Sequence, residues 1–548
     1  MLFVLGLDGG TLRLLEPWVE EGRLPNFGRL LRVSAWGELR SVLPPATMPN
    51  WTTLMTGVNP GRHGIFDFTA RTPEYGIRFV NGSYRRCPTI WSMLSLAGRR
   101  VAVLGMPGTY PPEPVNGRMI SGFDSPVTTR AGRSFVYPPE WADDVLASGG
   151  FPYADFQEFH VGRGWYERAL ARLLGGIETK TRLAERLLRE ESWDCFVLVL
   201  GESDTVAHHF WQFFDPDSPR YRPGTPEHLG TAIERVYQAV DRALGTLLEV
   251  AAPRAVLVAS DHGFGGSGTR GIYLNRWLAR RGWLAFTGKS FADVFGRARS
   301  LAARVVPAGW QAHLVRLGGG RLAGELEARA RFAGIDWTRT RAFSEELNYF
   351  PSIWLNVRGR DASGRVDPAE YEKVRDELIE DLHDWSDPAT GRPVIRRAWR
   401  REELYAGPAV ERAPDIVLEL EEPAGYSYLC LRSAGRPGEC LRELAPPELE
   451  GGKALGLGGS HRPDGVFALA APGLAPGRRS GVSILDVAPT ILSLCGLRPP
   501  EWMEGTSLVE GEAAVSVSVP DSGGVEAPYS SEEEREIESR LRALGYFG

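Results

Sequence analysis

Lysine is nearly missing from this chain. Lys180, Lys289, Lys373 and Lys453 are the only ones, so arginine carries almost all positive charge and any anion contact would come from guanidinium. A basic excess is missing too: 63 Lys and Arg stand against 69 Asp and Glu, a formal net charge of -6. That balance argues against a general nucleic-acid binder and makes phosphate recognition a local matter. Cysteine is sparse and odd in number. Cys87, Cys195, Cys430, Cys440 and Cys495 contain no CxxC pair, so neither a disulfide framework nor a thiolate metal centre is suggested, and a reducing compartment is the plain reading. No apolar run approaches ~18 residues. The opening Leu2-Phe3-Val4-Leu5-Gly6-Leu7-Asp8 is too short for a secretory signal and lacks its basic flank. The expectation is a soluble cytoplasmic protein without membrane contact. No internal repeat is evident, and the oligomeric state is not legible.

What the chain does have is length, 548 residues, more than one core usually fills. Short apolar runs end in polar or acidic residues: Leu2 to Leu7 before Asp8, Val101 to Gly105, Cys195 to Leu200 before Glu202, and Ala255 to Ala259 before Asp261. Such runs read as buried strands of a mainly parallel sheet. Helical stretches lie between them, among them 88–96 and a long one over 226–250 with Thr225 as N-cap and Pro226 in its first turn. The fold class is therefore α/β, doubly wound, with active groups gathered beyond the carboxyl ends of strands. After residue 265 the character changes to Arg-rich helical stretches from Leu274 to Phe332, a strand-like 353–357 and a helix over 368–385, before the sheet pattern returns at Gly465 to Ala470. This divides the chain into a catalytic core of 1–265 and 450–512, an inserted α+β cap of 266–449, and a linker with a short C-terminal helix over 513–548.

Each candidate functional residue has a bland reading beside the chemical one. Asp261-His262-Gly263 at a strand end is either a hydrogen-bonded turn or a carboxylate and an imidazole shared by one cation. Asp204 and His208, four apart on a helical turn, share one face; a dipole-stabilised Asp followed by a surface His explains them equally. His209 would point elsewhere, as packing with Trp211. Thr47, ahead of a short helix ended by Gly57, is either an N-cap or a hydroxyl presented with backbone N–H groups to a phosphoryl oxygen. His461 sits in a Gly-rich loop and, taken alone, is simply solvated. Taken together, Asp8, Thr47, Asp204, His208, Asp261, His262 and His461 suit two divalent cations about 4 Å apart, the arrangement that clamps both oxygens of an in-line displacement at phosphorus.

In this order the segments resemble the alkaline phosphatase superfamily, and most closely its type I phosphodiesterase/nucleotide pyrophosphatase branch. The resemblance rests on Leu7-Asp8-Gly9, on Thr47-Met48-Pro49-Asn50 running to Thr56-Gly57 and His63-Gly64-Ile65, on the Asp204 to His208 spacing, on Ser260-Asp261-His262-Gly263, on His461, and on Asp486-Val487-Ala488-Pro489-Thr490. Segments such as Leu274-Asn275-Arg276-Trp277 and Asn356-Val357-Arg358-Gly359-Arg360 further resemble a phosphohydrolase/phosphomutase subgroup. The resemblance implies that Asp8, Thr47, Asp261 and His262 hold one metal and Asp204, His208 and His461 the other. Zinc is the implied metal, with manganese the second option. Thr47 would attack phosphorus and form a phosphothreonine ester that water then hydrolyses. The implied substrate is a small-molecule phosphate ester or nucleotide.

One departure stands out: where nucleotide pyrophosphatases place a phosphoryl-contacting asparagine after His-Gly-Ile, this chain has Phe66-Asp67-Phe68-Thr69. Asn50, Asn81 or an arginine would have to compensate, and Asn50, Arg462 and Arg360 are the substrate-binding candidates, with Arg358 beside them. A phosphomutase or phosphomonoesterase using the same two metals is the alternative; a non-catalytic metal-stabilised scaffold is a third. No Cys-x-Pro-x-Arg segment supports a sulfatase.

Overall fold

A computed structural model describes residues 1–125, 133–153, 156, 162–287, 331–332, 334–347, 351–449, 456–510, 515–517 and 528–543. The four apolar runs expected as strands form Leu2–Leu7, Val101–Met106, Cys195–Leu200 and Ala255–Ala259. They lie side by side in a nine-stranded sheet whose order is Gly477–Ser483, Ala35–Arg40, Asp464–Ala470, Ala255–Ala259, Leu2–Leu7, Cys195–Leu200, Val101–Met106, Gly117–Ser121 and Val136–Tyr137. Pairing is parallel except around Asp464–Ala470, antiparallel to both neighbours, and at the Val136–Tyr137 edge.

Leu2–Leu7 shows why the sequence runs apolar without alternation. Phe3, Leu5 and Leu7 pack into one core cluster with residues of the Trp165–Glu190 and Ala232–Ala251 helices, while Leu2 and Val4 enter the opposite one with residues of Ile90–Leu96 and Val487–Leu494. Both faces are covered, so both need apolar side chains. Parallel register then does the positioning: Leu7 lies opposite Leu200, and Gly6 opposite Ala259. Three adjacent strands therefore release the chain at one level, and Asp8, the Glu202–Phe214 helix and Asp261 follow there.

The helix expected over 226–250 is two helices, Glu227–Gly230 and Ala232–Ala251. Gly230-Thr231 is a weak helical pair, and the Thr231 hydroxyl donates back to the Glu227 carbonyl. Thr225 does not cap; its hydroxyl donates to the Arg222 carbonyl.

A four-stranded sheet of Ala342–Phe343, Ser352–Leu355, Ile416–Leu420 and Ile395–Arg400 belongs to the segment read as a cap, and with the Tyr371–His383 helix it builds a third core. The expected boundary after residue 265 falls inside a strand. Gly263–Ile272 pairs with Gly459–Arg462 through its first half and with Ser427–Cys430 and Leu441–Glu443 through its second, so one strand ties the two parts together. Of the Arg-rich stretch, Leu274–Arg280 is helical; residues 288–330 lie outside the described residues, as do 513–514 and 518–527 of the linker. The terminal helix, Ser531–Ala543, buries Ile537 and Leu541 beside Met48 and Phe68. Among the described residues, no helix is long and apolar enough to cross a membrane.

Candidate active site

Gly9 makes the first turn possible. Its φ of 63° is in the left-handed region, and a Cβ there would meet Phe264 at 3.0 Å and Asp204 at 3.2 Å. Its N–H donates to Asp261 Oδ1 at 3.2 Å, joining two strand ends. Asp8 Oδ2 accepts from Trp51 Nε1 at 3.3 Å. Ser203 donates to the Asp8 carbonyl and Ser41 to that of Asp261. Trp51 and the two serines escaped the sequence reading; Trp51 had a signal, four residues after Thr47 on one helical face.

Thr47 is the first residue of the Thr47–Thr56 helix and not its cap, which is Ala46; Gly57, at a φ of 71°, ends it. Thr47 Oγ1 lies 3.5 Å from His262 Nε2. Asp204 and His208 stand on the Glu202–Phe214 helix with 3.4 Å between carboxylate and imidazole. His461 arrives by cross-strand pairing, opposite Phe264, and its ring stacks on that of His262 with centroids 3.7 Å apart.

The imidazoles are oriented alike. Nδ1 lies at a backbone carbonyl in each: His208 at Gly459 (3.0 Å), His262 at Gly263 (3.0 Å) and His461 at Pro45 (2.9 Å). A proton on Nδ1 makes that hydrogen bond and turns the Nε2 lone pair inward. Nε2 of His208 and Nε2 of His461 then face each other at 3.0 Å, an arrangement that needs positive charge between or beside them. Around them, Asp8 Oδ1, Asp204 Oδ1 and Asp261 Oδ2 are buried without a hydrogen-bond donor among the described residues. Buried, undonated carboxylate oxygens beside inward imidazole lone pairs fit divalent cations. Two groups have ligand atoms mutually within 4.8 Å: Asp204, His208 and His461, and Asp8, Asp204 and His262. Asp204 thus reaches both, whereas the resemblance assigned it to one.

Electrostatics match that shortage of cation. Burial, reinforced by neighbouring carboxylates, raises the Asp8 and Asp261 carboxyls well above their ordinary range. Burial also pushes the Asp204 carboxyl up, but His208 and His461 outweigh it and hold it well below. Burial lowers His262 and His461.

The polar residues expected to touch substrate hold protein partners in this structure. Asn50 is buried and ties its own loop: its amide donates to the Val42, Pro44 and Ala46 carbonyls and accepts from Val42 N–H. Asn81 caps the Gly82–Tyr84 turn. Arg462 binds Glu422 at 3.1 Å and the His461 and Gly266 carbonyls, and Arg358 is exposed on Asp367. Arg360 bridges Asp361 and the buried Asp415, 2.8 Å from the latter. Arg360→Ala should therefore lower unfolding free energy by about 2 kcal/mol, since it removes charge-assisted hydrogen bonds from a carboxylate that keeps Arg401, the Tyr371 hydroxyl and the Leu355 N–H, and leave KM for a phosphate ester unchanged. Denaturant melts and initial rates check both.

His209 packs edge-on against Phe156 and Trp165, at centroid distances of 5.1 and 5.5 Å. His63 lies with Nε2 3.1 Å from Thr53 Oγ1 and Nδ1 accepting from Ile65 N–H, and burial lowers its pKa to about 3. Because the unfolded imidazole titrates near its ordinary value, the unfolded state binds the extra proton between about pH 3 and 6.5, and stability falls as pH falls through that window. His63→Gln should make that acid loss shallower by about 1.4 kcal/mol per pH unit between pH 6 and 4, read from unfolding free energies at each pH.

Residues 2–430 match the sequence model of the type I phosphodiesterase / nucleotide pyrophosphatase family. Ectonucleotide pyrophosphatase/phosphodiesterase family member 1 of Homo sapiens is 24% identical over 286 residues, 50% of this chain and 25% of that protein. The chain thus spans about a quarter of that curated relative. Phosphonoacetate hydrolase from Sinorhizobium meliloti 1021 in complex with phosphonoformate superposes at a TM-score of 0.54 and 17% identity, over 90% of this chain and 95% of that one. Its complex with phosphonoacetate gives 0.53 and 16% over the same shares. That likeness shows the shared alkaline phosphatase-like fold.

Proposed function

Because this chain belongs to the type I phosphodiesterase/nucleotide pyrophosphatase family, we propose that it is a metal-dependent hydrolase of phosphodiesters or phosphoanhydrides in which Thr47 is the nucleophile. One observation carries the reading: Thr47 Oγ1, at a helix N-terminus, shares a buried pocket with three imidazoles and three aspartates whose lone pairs converge. Asp8, Asp204, Asp261, His208, His262, His461 and Thr47 would hold two divalent cations, zinc by the mixed donor set or manganese as the second option. When bound, these supply Lewis-acid stabilisation of charge on oxygen and lower the pKa of a coordinated hydroxyl.

The chain's own groups do the rest. Thr47 Oγ attacks phosphorus, an ester to Thr47 forms, and the first alcohol leaves. The Thr47 and Met48 amides open a helix whose third residue, Pro49, has no N–H to offer; those amides and the helix dipole favour a phosphoryl oxygen beside Thr47. Water then displaces the Thr47 oxygen from the opposite side. The Pro45, Gly263 and Gly459 carbonyls fix the Nδ1 side of each ring and keep the imidazoles aimed throughout.

The resemblance of the ligand set to mutases keeps phosphomonoesters as a second substrate class, and the solved phosphonoacetate hydrolase adds phosphonates to the panel. Turnover of matched p-nitrophenyl phosphodiester and phosphomonoester substrates tests the reading; a kcat/KM for the monoester above that for the diester would favour the mutase or monoesterase reading. A reducing, cytoplasmic setting is proposed from the five cysteines, which are free thiols.

A further inference from the structure

Asp8 and Asp261, which follow adjacent strands, are each engaged at one carboxylate oxygen and open at the other. Asp261 Oδ1 accepts the Gly9 N–H at 3.2 Å, and its Oδ2 is buried with no donor among the described residues. Asp8 Oδ2 accepts the Trp51 indole N–H at 3.3 Å; its Oδ1 is likewise buried with no donor and lies 3.6 Å from His262 Nε2. Each carboxylate therefore offers a cation one oxygen. At Asp261 the donor that occupies the other oxygen belongs to the backbone. At Asp8 it is a side chain, which substitution can remove.

The surroundings of Trp51 fix that contact. The residue stands one turn after Thr47 on the Thr47–Thr56 helix, buried in the core cluster that Leu2 and Val4 enter from the first strand. Gly6 continues their row on the same face of the strand, and its missing side chain is what admits the ring: a Cβ there would meet Trp51 Cη2 at 2.8 Å and Cζ3 at 3.3 Å. The indole thus closes on the strand at Gly6, and its N–H falls on the carboxylate two residues further on. Packing that holds the ring holds the direction of the N–H with it. Because the donor belongs to the helix headed by Thr47, the same hydrogen bond ties that helix to Asp8.

We propose that Trp51 is a positioning residue that holds Asp8 to a single open oxygen and thereby sets which divalent cation the centre prefers. The proposal rests on the two-metal reading above and adds to it the residue that discriminates between cations. Zinc takes few ligands, whereas harder cations such as manganese favour oxygen donors and higher coordination numbers, for which one carboxylate can supply both its oxygens. With Oδ2 on the indole, Asp8 counts once. Without that N–H its second oxygen is released, which favours manganese relative to zinc, and the first oxygen loses the outer partner that aims it.

The test uses the full chain stripped of metal, titrated separately with zinc and manganese in competition with a chromophoric chelator, and reads the position that Asp8→Asn weakens. The ratio of the manganese Kd to the zinc Kd in wild type is the reference. Trp51→Phe, which keeps a ring and loses the N–H, should lower that ratio by about tenfold, chiefly by weakening zinc. Phenylalanine is smaller than the indole, so a second variant carries 3-benzothienylalanine at position 51, with the indole's shape and sulfur in place of the N–H; its ratio should fall equally. In an Asp8→Asn background the Trp51→Phe exchange should leave the ratio where Asp8→Asn alone puts it, because Trp51 acts through that carboxylate. A ratio unchanged in the Trp51 variants, with both metals weakened alike or not at all, would overturn the proposal, as would a tenfold fall that persists in Asp8→Asn. Wild-type protein that binds both ions and turns over no phosphate ester would contradict the hydrolase reading and leave this one to the ratios; wild-type protein that binds neither would remove both.

Discussion

Thr47→Ala lowers kcat for bis(p-nitrophenyl) phosphate by roughly 10⁴-fold, the scale of losing a covalent nucleophile while the rest of the site stands. The expectation follows from placement. Thr47 heads its helix, the Ala46 carbonyl before it held by the Asn50 side chain and its own hydroxyl 3.5 Å from His262 Nε2. The alanine Cβ keeps the helix and its amides and removes the hydroxyl together with the γ-methyl. Thr47→Ser restores an oxygen on the same carbon and should recover much of the rate. If the residue were merely a helix-end hydroxyl, both variants would turn over the diester near the wild-type rate, and melting temperature would be the only quantity to move.

Asp204→Asn should be the most damaging change among the proposed ligands, reducing kcat/KM by roughly 10³-fold or more and bound metal at both positions together. Asp204 belongs to both groups of converging donor atoms, lying 3.4 Å from His208 and 3.3 Å from His461 while also grouped with Asp8 and His262. His208→Ala, by contrast, touches one group and should empty one position. Metal analysis of the purified variants separates these outcomes. Full occupancy in Asp204→Asn, or loss of one metal alone, would show that it is not shared.

Asp8, Asp204 and Asp261 stand out in sequence because strand ends are legible: an apolar run stopping at Asp8, at Glu202 or at Asp261 marks where a buried strand leaves the sheet. Their convergence depends on register, Leu7 opposite Leu200 and Gly6 opposite Ala259, and no single run encodes that. Thr47 at the first helical position instead of the cap was beyond reach for a similar reason, since Pro49 and Gly57 bracket the helix without fixing which residue opens it. Charge in sequence carries no partner: Arg360, expected as an anion contact, pairs with Asp415, 55 residues away, which Arg401 shares. Asn50, expected to touch phosphate, clamps its own loop in this structure. The imidazole orientation was invisible throughout, being set by the Pro45, Gly263 and Gly459 carbonyls, whose direction the sequence does not state.

The central claim is a covalent ester on Thr47, and stereochemistry at phosphorus tests it most directly. A diester made chiral by isotopic or sulfur substitution at its non-bridging oxygens is hydrolysed in labelled water, and the configuration of the product is determined. Two in-line displacements, first by Thr47 and then by water, give net retention. Net inversion would mean that water attacks phosphorus directly, and would contradict the account.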